Sequence, residues 1–167
     1  MILLIAVDQN YAIGKDGDLL YHIPDDLKHF RKLTEHNIVV MGRKTLEAMP
    51  GGRPLPHRVN VVMTSQDLPE EEGLIVVHDE AQLLEKLDEI NPQHEKQVYL
   101  IGGGALTKAL YEHVDTAILT HLDKAFDDAD TWIPAVGDDP DFELVSESEP
   151  KTFEGHSWTI RTYRRMR

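Results

Sequence analysis

Short apolar runs recur along the chain at residues 2–7, 38–41, 59–63, 74–77 and 98–101, most of them rich in Val and Ile. Continuous runs of this length suit strands buried on both faces, as in a sheet covered by helices. Patterns with helical spacing fall between them at 24–33, 44–49, 81–90 and 105–112. Strand and helix therefore alternate, which predicts an α/β domain with mainly parallel pairing. From residue 116 on the character changes. Segments 116–122, 142–148 and 157–163 alternate more and have no helical stretch between them. They are expected to finish the sheet with antiparallel strands at one edge. The acidic stretches 67–72 and 138–141 contain proline and read as loops.

Composition narrows the picture. At roughly 150 residues per domain, 167 residues make one domain, over 1–167. Cysteine is absent, which excludes disulfides, thiolate catalysis and cysteine-based zinc sites. Thirty acidic residues against 17 basic ones give a net charge of -13, which argues against nucleic acid as a partner. The acid excess fits a salt-rich habitat and plain solubility equally well. A small anionic ligand is still compatible with a local cluster of basic residues. Residues 1–7 are too short for a membrane span and carry no basic leader, so they read as a core strand of a cytoplasmic protein.

The segment that opens at Pro24 carries the first candidate chemistry. Proline suits the first helical position, and acids in the first turn complement the helix dipole, which is the plain reading of Asp25 and Asp26. Helix phase separates the two. At about 100° per residue, Ile23, Leu27, Phe30, Leu33 and Thr34 share one face. Asp26 lies within about 45° of that face's centre, whereas Asp25 lies about 145° away beside His29 and Lys32. A carboxylate among apolar neighbours loses solvation, so its pKa is expected to rise. Two readings stand: a group that holds a cationic or hydrogen-bonding part of a ligand, or a carboxylate satisfied by backbone amides.

Three strand ends carry donors. Residues 98–101 run into Gly102-Gly103-Gly104 and then a helix, a junction that exposes backbone N–H groups and lets a pyrophosphate approach. It is neither the Gly-x-Gly-x-x-Gly fingerprint nor a P-loop, and a tight strand-to-helix turn explains it equally well. Residues 38–41 lead into Gly42-Arg43-Lys44-Thr45, where two cations sit at a helix start that disfavours them unless an anion is bound. Residues 59–63 end in Thr64-Ser65. Together they suit a ligand with a pyrophosphate and one further phosphate, NADP rather than NAD, at the carboxyl ends of the strands.

These residues, in this order, resemble the dihydrofolate reductase family. The matching elements are Ile13-Gly14, Pro24-x-Asp26-Leu27 with Phe30, Met41-Gly42-Arg43-x-Thr45, Arg53-Pro54-Leu55-Pro56 with Arg58, Ile101-Gly102-Gly103-Gly104, Leu119-Thr120-His121 and Asp130-Thr131. The resemblance covers nearly the whole chain. It implies a single-domain, eight-stranded, mostly parallel sheet with an antiparallel C-terminal edge and four flanking helices. It also implies NADPH-dependent reduction of 7,8-dihydrofolate to tetrahydrofolate, a step that supplies one-carbon metabolism and thymidylate synthesis. The hydride goes from nicotinamide C4 to pterin C6, and N5 is protonated.

Carried over by position, the resemblance makes Asp26 the pocket acid that binds the pterin 2-amino group and N3, with Thr120 hydrogen-bonded to it. Ile5, Leu27, Phe30, Met49, Leu55 and Ile101 line the pterin and aminobenzoyl pocket. Arg58 pairs with the substrate's α-carboxylate and Arg53 helps from the rim. Val7, Ala12, Ile13 and Gly14 meet the nicotinamide, and the lid over it continues through Lys15, Asp16, Gly17, Asp18 and Leu19, with Gly14 and Gly17 as hinges. Arg43, Lys44, Thr45, Thr64 and Ser65 hold the adenosine-side phosphates, while Gly102, Gly103, Gly104, Ala105, Leu106 and Thr107 cradle the pyrophosphate. Asp130 matches the residue that hydrogen-bonds the closed lid. The chain departs from the family pattern at Tyr21, where Trp is usual and holds a catalytic water, and at Leu20, where Pro is common. Leu46 and Ala48 replace larger or polar residues of some members. Dihydrofolate and antifolates are the expected small-molecule partners of a monomer with no bound metal.

Two other readings are weighed against this one. A reductase of the same fold acting on a ribosylaminopyrimidine shares the glycine junction, but the Pro-x-Asp-Leu helix and the distal Arg58 oppose it. A non-catalytic NADP sensor would not need the pterin half. His22, His29 and His36 recur every seventh residue without the His-Glu-x-x-His arrangement, so they read as solvated side chains rather than metal ligands.

Overall fold

The apolar runs become the strands they predict, in a computed structural model that describes residues 1–16, 18–20 and 22–166. The expectations for Gly17 and Tyr21 lie outside the described residues. In chain order the elements are β1 (Ile2–Val7), β2 (Ala12–Lys15), β3 (Asp18–Leu19), α1 (Pro24–Thr34), β4 (Ile38–Gly42), α2 (Arg43–Glu47), β5 (Val59–Met63) and β6 (Leu74–Val77). They continue with α3 (Glu80–Ile90), β7 (Val98–Leu100), α4 (Gly104–Leu110), β8 (Thr116–Leu122), β9 (Thr131–Trp132), β10 (Phe142–Glu147), β11 (Lys151–Phe153) and β12 (His156–Arg165).

The main sheet runs β10-β12-β8-β1-β7-β4-β5-β6, with β11 attached to β12. All pairings from β8 to β6 are parallel, and those of β12 with β8 and of β10 with β12 are antiparallel. This corrects the expectation for 116–122. That segment lies inside the sheet, parallel to β1, because α4 carries the chain back over the sheet before it. Only the last two long strands form the antiparallel edge. A small second sheet, β3-β2-β9, was not foreseen, since its strands are two to four residues long.

The double-sided core follows from strand alternation. Ile38 and Val40 of β4 enter one apolar layer with Leu3, Val61 and Leu100. Val39 and Met41 enter the other, with Leu4, Val62 and Ile101. All four β4 side chains are fully buried, each contributing about 1.5–3 kcal/mol of transfer free energy. Helix α1 touches the second layer through Phe30 and Leu33. Leu27, one turn earlier on the same face, is 47% exposed. That exposure is local to Leu27, because Asp26 beside it bonds Thr120 of β8 and Ile23 before it is buried with Leu122 of β8.

Candidate functional site

Parallel strands β1, β4, β5, β6 and β7 all end at one edge of the sheet, where the loops that follow them build a cavity of about 620 Å³. In open α/β sheets this carboxyl edge is where ligands bind. Its wall combines the turn of Gly102, Gly103 and Gly104 with Ala105 and Leu106, the α2 start at Arg43, Lys44 and Thr45, and Thr64 and Ser65 after β5. Ile13, Gly14, Lys15, Asp18 and Leu19 close another side, and Ile5 and Ile101 form the floor. Three predicted strand ends are thus brought together.

Backbone geometry explains the glycines. Gly102 has φ +128°, a region that L side chains rarely adopt. A Cβ on Gly104 would lie 2.6 Å from the Trp132 carbonyl oxygen and 2.8 Å from Thr131 Cγ2, so α4 can start against β9 only without a side chain there. The amide of Gly42 donates to Gly102 O at 3.0 Å, tying the two phosphate-type junctions together. Gly103 is the N-cap of α4 with no side-chain cap. The positive end of the dipole thus faces the cavity. Arg43 pairs with Glu47 one turn along α2.

Val7, Ala12 and Thr107 do not line the cavity. Val7 and Ala12 are 0% and 1% exposed, and Thr107 Oγ1 donates to Gly103 O at 2.8 Å inside α4's first turn.

The acid side begins one register pair away. Thr120 of β8 pairs with Ala6, the neighbour of Ile5. Thr120 Oγ1 donates to Asp26 Oδ1 at 2.6 Å. Burial raises the Asp26 pKa above the ordinary carboxylate value, against the lowering effect of the Thr120 bond and of nearby His29. His29 was expected on the wet side with Asp25. It is half-buried instead, and desolvation pushes its own pKa down. Phe30, Met49 and Leu55 pack against the layer that contains Ile101. On the other face of β8, His121 is buried against Tyr11 and Tyr163, which holds its pKa down to about 4.

Arg58 is fixed by two acceptors. Its Nε donates to Pro56 O at 2.9 Å and Nη1 to Thr34 Oγ1 at 3.0 Å. Arg53 and Arg58 border a second cavity of about 560 Å³, with Leu55, His57 and Lys96.

β2 pairs antiparallel with β3, Gly14 with Leu19 and Lys15 with Asp18, and with β9 on its other side. The Asp16 amide donates to Asp130 Oδ2 at 2.9 Å, and the Asp130 amide to Gly14 O at 3.0 Å. Accepting the Asp16 amide lowers the Asp130 pKa. Lys15 Nζ bonds Asp128 Oδ2 at 2.7 Å. Gly14 serves close approach, since a Cβ there would sit 2.8 Å from Asp18 O.

Two residues were missed by the sequence reading. Asp8 is fully buried and accepts the amides of Asn10, Ala12 and Phe126 at 2.8–2.9 Å, holding the hairpin's root to the loop before Asp130. Its signal was an acid directly after an apolar run. His78 lines the main cavity at the end of β6. Its signal was a fourth parallel strand ending at the same edge. Among the described residues, no cluster of three or more His, Asp or Glu side chains has metal-holding geometry, and no helix is long and apolar enough to cross a membrane.

The comparisons with known proteins converge. A family model for dihydrofolate reductase matches residues 1–165. A dihydrofolate reductase of Bacillus subtilis is 37% identical over 146 residues, covering 87% of this chain and 82% of the relative. One from Staphylococcus aureus is 36% identical over 152 residues, covering 91% and 88%. A solved structure of the Enterococcus faecalis dihydrofolate reductase complexed with NADP(H) and RAB-propyl aligns with a TM-score of 0.81 at 34% identity, covering 98% of this chain and 95% of that one.

Proposed function

The chain belongs to the dihydrofolate reductase family and catalyses the NADPH-dependent reduction of 7,8-dihydrofolate to tetrahydrofolate, and from that premise we propose the part each residue plays. The glycine turn fits a bound dinucleotide, because φ +128° at Gly102 and the closeness of β9 at Gly104 both call for glycine, and without side chains there the backbone N–H groups can meet phosphate. Gly102 to Gly104, with Ala105 and Leu106, cradle the pyrophosphate. Arg43, Lys44, Thr45, Thr64 and Ser65 hold the further phosphate and the adenosine side. Ile13 and Gly14 bound the nicotinamide, under the hairpin of Lys15, Asp16, Asp18 and Leu19. When bound, NADPH supplies the hydride, from nicotinamide C4 to pterin C6.

Asp26 does the anchoring. Its carboxylate accepts from the pterin 2-amino group and N3–H, while Thr120 fixes its second oxygen. Burial keeps this acid easy to protonate, so it biases charge towards the pterin ring, and water carries the proton to N5. Ile5, Leu27, Phe30, Met49, Leu55 and Ile101 exclude water around the rings and hold them face to face, an arrangement worth several kcal/mol by proximity. Arg58, already aimed by Pro56 and Thr34, forks onto the α-carboxylate. Arg53 assists from the rim. In the sequence Tyr21 stands where the family has its water-holding Trp, and a phenol can serve the same role.

The observation that supports this reading best is the buried Asp26–Thr120 pair, one register position from the cavity that the glycine turn completes. The test is loss of reduced-nicotinamide absorbance on mixing enzyme, NADPH and dihydrofolate, with a methotrexate-type antifolate as competitor. No dihydrofolate-dependent oxidation at low or high salt would overturn it. The enzyme works as a single-domain monomer in the cytoplasm, takes antifolates in its pterin half, and has no nucleic-acid partner. The net charge of -13 supports the last point.

A further inference from the structure

We infer that Tyr11 is a positioning residue for hydride transfer: its side chain pins the strand that bounds the nicotinamide to the strand that holds Asp26, from the face of that strand pointing away from the acid. The inference rests on the roles proposed above for Ile13, Gly14 and Asp26.

Tyr11 stands in the turn between β1 and β2, directly before the strand that carries Ile13 and Gly14. Its φ of +62° lies in the left-handed region, which a bulky side chain keeps only where its surroundings hold it there. That hold comes from four directions. The Tyr11 carbonyl accepts the Ile133 amide at 3.0 Å, just beyond β9. The phenol oxygen accepts the Gly137 amide at 2.9 Å, from the turn Val136–Asp138. The ring meets His121 of β8 edge-on, with centroids 5.4 Å apart. The Tyr163 hydroxyl of β12 lies 3.3 Å from His121 Nε2 and reaches the same glycine. A Cβ on Gly137 would sit 2.3 Å from the Tyr11 oxygen and 3.2 Å from the Tyr163 oxygen. Burial, with Tyr163 beside it, pushes the Tyr11 pKa up to about 12, so the phenol keeps its proton at neutral pH.

The pin matters because of what it joins. β2 pairs with β3 and β9 in a separate small sheet, so ladder hydrogen bonds do not set its distance from β8. His121 follows Thr120 along β8, and strand alternation sends the two side chains to opposite faces. Thr120 holds Asp26 on one face, and His121 meets Tyr11 on the other. Asp8 fixes the turn's own backbone through the amides of Asn10 and Ala12. The Tyr11 side chain adds the contact to β8 and to the turn Val136–Asp138. A shift of β2 changes the gap between nicotinamide and pterin, and a misplacement of about 1 Å can cost about 100-fold in rate.

The experiment compares single-turnover hydride transfer, ligand affinity, amide exchange and urea midpoints in the full chain and three variants. Tyr11→Phe keeps the ring on His121 and deletes the acceptor for Gly137. Gly137→Ala displaces the same phenol from the other side. Tyr111→Phe is the control, because it removes a 2.6 Å bond to Asp139 beside the same core cluster without touching β2. Tyr11→Phe and Gly137→Ala should each slow hydride transfer about five- to tenfold. Dihydrofolate affinity should stay within about twofold, since Asp26 and Arg58 keep their contacts. The Asp16 and Asp130 amides should exchange about tenfold faster in both variants. Tyr111→Phe should lower the urea midpoint at a wild-type transfer rate. Transfer within about twofold of wild type in both Tyr11→Phe and Gly137→Ala overturns the role of Tyr11, as does equal slowing in Tyr111→Phe. Faster exchange in the two variants of a chain whose wild type does not oxidise NADPH with dihydrofolate would uphold the pin and refute the functional reading beneath it.

Discussion

Thr120 Oγ1 donates a 2.6 Å hydrogen bond to Asp26 Oδ1, joining the first helix to a central strand 94 residues further on. The bond lowers the acid's pKa, yet burial outweighs it and the net shift is upward. A carboxyl whose folded pKa is raised stabilises the fold below its unfolded pKa, and that contribution is lost as pH rises through the folded value. At neutral pH the ionised Asp26 is thus a cost to the fold. Asp26→Asn should raise Tm by about 2–4 °C at neutral pH, the shift that about 1 kcal/mol gives a domain of this size. The gain should vanish in acid. The same variant should bind NADPH normally but slow hydride transfer about 100-fold or more at neutral pH. Single-turnover kinetics check this, and an unchanged rate would remove Asp26 from catalysis.

Arg43 is paired with Glu47 across one turn of α2. The glutamate competes with any phosphate for the same guanidinium. Arg43→Ala should therefore weaken NADPH about tenfold or more while changing NADH far less. Glu47→Gln should do the reverse and tighten NADPH a few-fold, about what an exposed pair is worth. Dissociation constants from nicotinamide fluorescence decide the point. Equal losses for both cofactors in Arg43→Ala would place the 2′-phosphate elsewhere.

How much of this was readable from sequence depends on how local each signal is. The 38–41 run announces a strand buried on both faces because every residue is apolar, and all four side chains are indeed fully buried. Asp26 separates from Asp25 by helix phase alone. Leu27 does not follow and is left exposed, since the phase of a helix says nothing of how closely other elements approach each position on its face. The place of 116–122 inside the sheet depends on the crossover through α4. His78 becomes visible only once Met63 is known to pair with Val77. Asp8 is hidden in the same way, because its third amide partner, Phe126, lies 118 residues away.

Gly104 shows a packing demand that composition could not reveal. An alanine Cβ there would lie 2.6 Å from Trp132 O, which is backbone and cannot rotate aside. Gly104→Ala should push β9 off the start of α4 and lower stability by about 1–3 kcal/mol, as overpacked sites do. Urea midpoints measure the loss. NADPH binding should weaken in the same variant, because α4's amides move with the turn. A wild-type midpoint with wild-type NADPH affinity would mean that β9 yields without strain.

The hairpin over the cavity is latched in two different ways, and salt separates them. Asp130 accepts the Asp16 amide and returns its own amide to Gly14, a backbone latch that screening barely touches. Lys15 and Asp128 form a solvent-exposed ion pair, which is weak and screened at high ionic strength. Asp128→Asn should slow hydride transfer less than about threefold, and about 1 M salt should bring the wild type to the same rate. Asp130→Ala should cost about tenfold at any salt concentration, because closure itself is impaired. Both carboxylates have lowered pKa values, so their stabilising contributions are present above the unfolded carboxylate pKa. Those contributions are lost as pH falls through the folded values, and the latch should fail in acid from the Asp130 side even where Lys15 remains charged. Stopped-flow rates across pH and salt distinguish the two latches. A salt response that survives in Asp128→Asn would show that the ion pair is not its source.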